Sequence, residues 1–533
     1  MSQWLEEFQM KAEFEVKHKD LLGRVGYLHV GGKRVETPAF VPVINPAGQV
    51  VPAEEMKRLF ECNIVITNAY ILLKRFRQRV IEDGVHKFIG FDGVVMTDSG
   101  GYQVLIYGDV DASPVDIAVF QESIGSDIAV PLDRPTGLVN RKEAEKTVEV
   151  TLANVKLTMD VVGPDSRCVW VAPVQGGLYY DLIERCVGEY EKMGFSLYCL
   201  GSPTPLMTSY RYKQLASMVS STRRFLGPVK PLHLFGAGHP MVFAFVVAMG
   251  VDLFDSASYA LFAKEDRYLT SDGTVRIESL AYFPCSCRVC IDYSPREMKQ
   301  MEKSERFRLL SLHNLHVCFE EVEAVKQAVW EGRLFELVEK RAKSHPTLYD
   351  AFRNVFGDEE TVKTMARHTP LTKRRGLFLF DEESLKRPEY VRMMEWLESF
   401  FPDEGETAVL VSHRAATGRN LTNLLSKISE AIGSSDFDVF VVGTPFGLVP
   451  LSLYSVYPIS QTNYPTSLMK SIENKVFMNA FQKLSRSKHR KVVVADFGPD
   501  VYPGFLRDLA RYLQSSVNKE TTYVSVKKRL NTS

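Results

Sequence analysis

Short apolar or β-branched runs recur every 20 to 40 residues or so along roughly the first 260 positions, separated by segments of helical periodicity. Such alternation is how parallel βαβ units are written in sequence. Eight strands are predicted, at 39–43, 64–68, 94–98, 128–133, 169–175, 196–201, 231–236 and 251–256. Eight strands with helical crossovers predict an α/β protein built on a (β/α)₈ TIM barrel, with an open doubly wound sheet as the competing arrangement. Strand after strand ends in a polar residue: Asn68, Asp98, Asp133, Gln175 and Asp255, with Gly201 and Gly236 at two other ends. In a barrel those ends open on one face, so three carboxylates converge where active sites of this architecture are built. A single Asp there could equally cap a helix, but repetition in separate units favours a site. The pairs Gly100-Gly101 and Gly176-Gly177 follow directly and would let a planar ligand approach bare backbone.

A second signal lies beyond the last strand, where Cys285, Cys287 and Cys290 fall within six residues and His313 follows. Three thiolates and an imidazole can close a tetrahedron around one Zn²⁺, and a site with four protein ligands leaves no open position for catalysis. This zinc is therefore expected to be structural. His316, three residues on, and Cys318 are the competing fourth ligands. The other cysteines are scattered singly through apolar runs, which argues against a secreted disulfide framework and for a reducing cytoplasm. The longest apolar run, about 241 to 251, is too short to span a bilayer, so no membrane association is expected.

Charge is balanced, 65 basic against 65 acidic residues, so bulk electrostatics do not announce a nucleic-acid partner. Local basic runs at 373–375, 483–491 and 527–529 are compatible with phosphate contacts. Carboxylates without a fitting Ser, Cys or metal triad point to glycosidic chemistry, in which one acid attacks an anomeric carbon and another handles protons. Tyr102, close behind Asp98 and Ser99, offers an aromatic ring suited to stacking on a base.

From Gly405 onward the pattern changes. Strands are predicted at 408–412, 439–443 and 492–497, with helices at 423–432, 467–484 and 503–513. The expected organisation is a barrel domain with its zinc-binding insertion at 1–345, a helical linker at 346–404 and a smaller α/β accessory domain at 405–533. Thr444-Pro-Phe-Gly447 directly follows a strand and reads as a rigid turn more than as a ligand loop.

Taken in order, Met96-Thr-Asp98-Ser-Gly-Gly-Tyr102-Gln103, Pro173-Val-Gln175-Gly-Gly177, His233-Leu-Phe-Gly236-Ala-Gly238-His239-Pro240, Asp252-Leu-Phe-Asp255-Ser256 and the cysteine cluster with His313-Asn314-Leu315 resemble the tRNA-guanine transglycosylases. The stretch from Phe254 to Lys264 is similar to the archaeal branch of that family, the archaeosine tRNA-ribosyltransferases. The resemblance implies exchange of guanine at position 15 of the tRNA D-loop for 7-cyano-7-deazaguanine, without redox or nucleotide cofactor. It implies Asp255 as nucleophile and Asp98 as general acid/base, with Ser99, Asp133, Gln175 and Gly201 around the base and Tyr102 on its face. The family commonly ends in an RNA-binding PUA domain, for which no equivalent is legible here, so a separate PUA-domain subunit is an expected partner, together with a homodimer. A non-catalytic tRNA-binding paralogue and a later archaeosine-forming enzyme are the alternatives, and the presence of both Asp98 and Asp255 speaks against them.

Overall fold

The computed structural model describes residues 12–101, 112–417, 421–498 and 500–525. The chain divides into two compact units, Met1–Val355 and Phe356–Ser533.

The first unit opens with an antiparallel sheet of three strands, β1 (Ala12–Asp20), β2 (Gly23–Val30) and β3 (Lys33–Thr37). Eight parallel strands then close on themselves: β4 (Ala39–Ile44), β5 (Ile64–Asn68), β6 (Val94–Asp98), β7 (Ile128–Ala129), β8 (Val169–Val174), β9 (Leu197–Leu200), β10 (Leu232–Leu234) and β11 (Leu253–Ser256), the last pairing back onto β4 with Phe254 opposite Phe40. The predicted barrel is thus observed, and the open sheet is not. β7 is shorter than the expected 128–133. Val130 still donates to Thr97 O, but Pro131 has no N–H to continue the ladder.

Alternation along the strands decides which residues enter the barrel. One apolar cluster runs through Val41, Ile64, Ile66, Val94, Met96, Ile128, Val171, Leu197, Cys199 and Leu253, so these positions point inward. Two residues further along β5, β6 and β11 the same phase falls on Asn68, Asp98 and Asp255. Inward position and carboxyl-terminal end together place those polar groups at the barrel mouth. The opposite mouth is closed by the first sheet, whose Leu28, Val30 and Val35 belong to the same cluster. There the buried Asp252 accepts from Arg24 Nε at 3.0 Å and from Leu232 N at 2.9 Å, with Arg223 beside it.

Beyond the barrel, a hairpin of β12 (Arg267–Thr270) and β13 (Gly273–Arg276) packs on the long helix Lys303–Glu331. Buried Asn314 on that helix accepts from Leu269 N at 2.9 Å and donates to the carbonyls of Tyr259 and Arg267. Its amide is satisfied by three backbone groups, two on β12 and one on the helix Ser258–Lys264, which fixes hairpin to helix.

The second unit pairs two short strands, β14 (Leu377–Phe378) and β18 (Thr462–Asn463), and builds its main sheet from β15 (Thr407–Ser412), β16 (Phe437–Thr444), β17 (Gly447–Pro450), β19 (Lys491–Asp496) and β20 (Glu520–Ser525) in the order β17-β16-β15-β19-β20. All but β17 run parallel, and apolar clusters cover both faces. Of the stretch 346–404, the part from Phe356 on falls within this unit, and Met393 and Leu397 of the helix Pro388–Ser399 lie in its core. Pro445 and Phe446 form the two-residue turn joining β16 to β17, with Thr444 paired to Gly447. Among the described residues no helix is long and apolar enough to cross a membrane.

Candidate active site

Three carboxyl groups share the barrel mouth. Asp98 accepts from Asn68 Nδ2 at 3.0 Å and from the backbone of Gly100. Protein packs around most of it, and part of its surface stays open. Burial, and then the negative charges of Asp133 and Asp255, push its acid dissociation up to about 7. Those charges can act on it only at short range, so the three acids face one space. Asp133 accepts from Gln175 Nε2 at 2.6 Å, and burial raises it to about 6. Gln175 is itself fixed, its Oε1 accepting from Thr136 N at 3.0 Å and from Ser202 Oγ at 3.1 Å. Ser99 is fully buried, with its side chain beside the Asp133 carboxyl.

The glycines of the rim make room for protein side chains and backbone. A Cβ on Gly101 would collide with the Asp133 carboxylate, one on Gly201 with the Gln175 side-chain amide, and one on Gly176 with the backbone of Ile183. Gly201→Ala should therefore displace Gln175 and, through it, Asp133. The expected result is a loss of exchange activity on the order of 10²-fold with little change in melting temperature, checked by steady-state kinetics alongside thermal unfolding.

Asp255 is held on one side only. Its Oδ1 accepts from His233 Nε2 at 2.9 Å and from Gly236 N at 3.1 Å, and among the described residues no hydrogen bond falls on Oδ2. Because the oxygen already accepts from Gly236, Nε2 is the protonated nitrogen of His233. The ring's Nδ1 is buried without a hydrogen-bond partner. Gly236 sits at φ 66°, and a side chain there would strike Thr204 Oγ1. His233 opens the motif His233-Leu-Phe-Gly236 but was given no role from the sequence; it is a polar group inside the apolar strand Leu232–Leu234, two residues from the mouth.

Cys285, Cys287, Cys290 and His313 come together with all four candidate ligand atoms within 4.8 Å of one another. His313 Nδ1 lies 3.4 Å from Cys287 Sγ and 3.5 Å from Cys290 Sγ, close to the spacing of about 3.6 Å that tetrahedral bonds of about 2.3 and 2.0 Å impose. Its other nitrogen, Nε2, donates to Leu269 O at 2.8 Å, which fixes the ring with Nδ1 toward the thiols. Tyr268 stacks on the imidazole at 3.7 Å between ring centres, and its hydroxyl is 3.3 Å from Cys290 Sγ. The residues present thus fit a metal ion. His316 contacts Cys285 from outside the tetrahedron and pairs with Glu320 at 3.9 Å, while Cys318 is fully buried elsewhere.

A profile of the family described as queuine tRNA-ribosyltransferase matches residues 20–347, the span that holds both sites. The chain is 40% identical over 478 residues to the tRNA-guanine(15) transglycosylase of Methanocaldococcus jannaschii, covering 88% of this chain and 71% of that protein. The chain belongs to the tRNA-guanine transglycosylase family. Proteins of the same name from Sulfolobus acidocaldarius and Thermococcus onnurineus are 39% identical over 469 residues (87% of this chain, 91% of that protein) and 46% identical over 379 residues (70% and 64%).

Against this transglycosylase frame, the residues expected from sequence separate clearly. Asp98, Asp133, Gln175, Gly201 and Asp255 gather at the barrel mouth, with Ser99 buried beside Asp133. The four metal-ligand candidates form one cluster. Tyr102 lies outside the described residues. Asp252, only three positions before Asp255, is at the far end of β11 in an arginine cluster and takes no part in the site.

Proposed function

We propose that this chain exchanges guanine at position 15 of tRNA for 7-cyano-7-deazaguanine, a step toward archaeosine, through a covalent ribosyl-aspartate. The observation carrying this reading is the meeting of Asp98 and Asp255 in one cavity with different surroundings. Asp255 is held by two donors at Oδ1, so Oδ2 is the oxygen for attack on C1′ of an extruded nucleotide. As the C1′–O bond forms and the C1′–N9 bond breaks, Asp98 passes its proton to the departing guanine. In the return direction Asp98 removes the proton from N9 of the incoming deazapurine, whose nitrogen displaces the ester. Asp133, Gln175 and the backbone of Gly201 read the edge of the base, Ser99 backs the site, and Tyr102 stacks on its face. Carbon in place of N7 makes the installed base a poor leaving group, so exchange runs toward product.

In this reading the four-residue cluster holds Zn²⁺, which supplies a closed structural crosslink and no catalytic position. A second copy of the chain and a separate PUA-domain subunit are its macromolecular partners, read out by sedimentation of the chain with and without tRNA.

The test is release of labelled guanine from position 15 of a tRNA transcript as 7-cyano-7-deazaguanine is added. Release matched one for one by incorporation supports exchange. Release without incorporation means hydrolysis and overturns it.

The raised acid dissociation of Asp98 gives a second outcome. Exchange should fall as pH rises through about 7, as the donor loses its proton. Stability should move the same way. Asp98 holds its proton more tightly folded, at about 7, than unfolded, at about 3.9, so the added stability is present below pH 4 and is lost by pH 8. That loss is on the order of 4 kcal/mol. Denaturant titrations across this range should show it, and Asp98→Asn should reduce it.

A further inference from the structure

The helix Ala69–Asp83 starts at the barrel mouth. Its N-cap is Asn68, the same residue that donates to Asp98 at 3.0 Å. Between its first turn and its end it carries Lys74-Arg75-Phe76-Arg77-Gln78-Arg79, four cations in six residues of a chain whose charges otherwise balance, 65 against 65. All four are exposed. Arg79 is partnered by Asp83 at 3.7 Å and lies over the Phe88 ring. Arg75 and Arg77 form no ion pair among the described residues. The helix departs from helical geometry at Phe76, between them, with φ −136° and ψ 15°. Like charges three and four positions apart, such as Lys74 with Arg77 and Arg75 with Arg79, disfavour a helix in isolation, and a polyanion offsets that repulsion.

We propose that Arg75 and Arg77 form a phosphate-binding track for the tRNA strand flanking the extruded nucleotide. The inference rests on tRNA being the substrate. At about 1.5 Å rise per residue, the two arginines stand about 10 and 14 Å along the helix from Asn68. A strand delivering one nucleotide to the mouth must run its neighbouring backbone over this scale. Arginine suits the role, since its planar fork takes phosphate oxygens in pairs. Both residues position the RNA and touch no reacting atom.

The experiment measures binding of a tRNA transcript bearing guanine at position 15 across a salt series, for the intact chain and for Arg75→Glu/Arg77→Glu and Arg75→Lys/Arg77→Lys. The charge-swapped protein should bind about tenfold more weakly or worse, with the slope of log Kd against log salt reduced by about 1 to 2. The loss should fall on KM, kcat at saturating tRNA should be kept, and melting temperature should match wild type. The lysine variant should restore most of the affinity. Unchanged Kd and salt slope in the charge-swapped protein would overturn the track. Wild-type protein that binds tRNA through these arginines without exchanging guanine would sink the proposed reaction and leave the track standing.

Discussion

Asp255→Asn should abolish base exchange, with a fall in kcat of about 10⁴-fold or more, while the protein folds normally. The substitution keeps the shape of the side chain and keeps an oxygen to accept from His233 Nε2 and Gly236 N. What it removes is the oxygen that the proposed reaction uses for attack. A denaturing gel of enzyme mixed with tRNA should show a covalent complex for wild type and none for this variant. Asp98→Asn removes the proton donor instead and leaves the attacking oxygen in place, so it should slow turnover while retaining some adduct. An adduct surviving Asp255→Asn but missing from Asp98→Asn would exchange the two roles. His233 gives a graded check, because His233→Phe removes one of the two donors on Oδ1 and frees the carboxylate to rotate. Its effect should fall on kcat, with tRNA affinity unchanged.

The barrel was legible because its strands are buried on both faces and therefore read as short apolar runs whose polar ends repeat. Inward phase explains why that reading reached the site. Ile64 and Ile66 fix the phase that ends in Asn68, and Val94 and Met96 the phase that ends in Asp98. Where phase or pairing is broken, the sequence was less informative. Asp133 stands beyond Pro131 on irregular chain, and only its contact with Gln175 shows how it joins the other acids. The sheet β1 to β3 escaped notice although Ala12, Phe14 and Val16 alternate with Glu13, Glu15 and Lys17, because β1 is largely solvated and lies ahead of the repeating βα units. In the second unit β20 is a polar edge strand, and its Glu-Thr-Thr start resembles a turn more than a strand. The rim glycines also meet a packing need that the sequence did not show. The side chains that need the space are Asp133 and Gln175, which no local pattern could reveal.

The metal cluster is where a single substitution should cost the most stability. Cys287→Ser removes one thiolate from a set whose other members are already aligned by contacts of their own, His313 by Leu269 O and Cys290 by the Tyr268 hydroxyl. The surrounding apolar cluster is small and local, with Tyr268, Ile277, Val289, Met298 and Leu310 at its centre. Such a patch has little apolar area with which to hold the segment 278 to 302, whose helices Arg288–Asp292 and Pro295–Gln300 are short, so a bound metal would supply much of what fixes it. Loss of the ion should unfold this region at several kcal/mol below the stability of the barrel, adding a transition that wild type does not show. Metal content by elemental analysis, chelator-induced unfolding and tRNA affinity should all fall together. Single-turnover exchange at saturating tRNA should fall less, because Asp98 and Asp255 are held by β5, β6, β10 and β11 and by no residue of the cluster. A Cys287→Ser protein with full metal content and wild-type melting would place the ion elsewhere. If chemistry were lost before stability, the site would be catalytic after all, and the closed set of four protein ligands would be the wrong description of it.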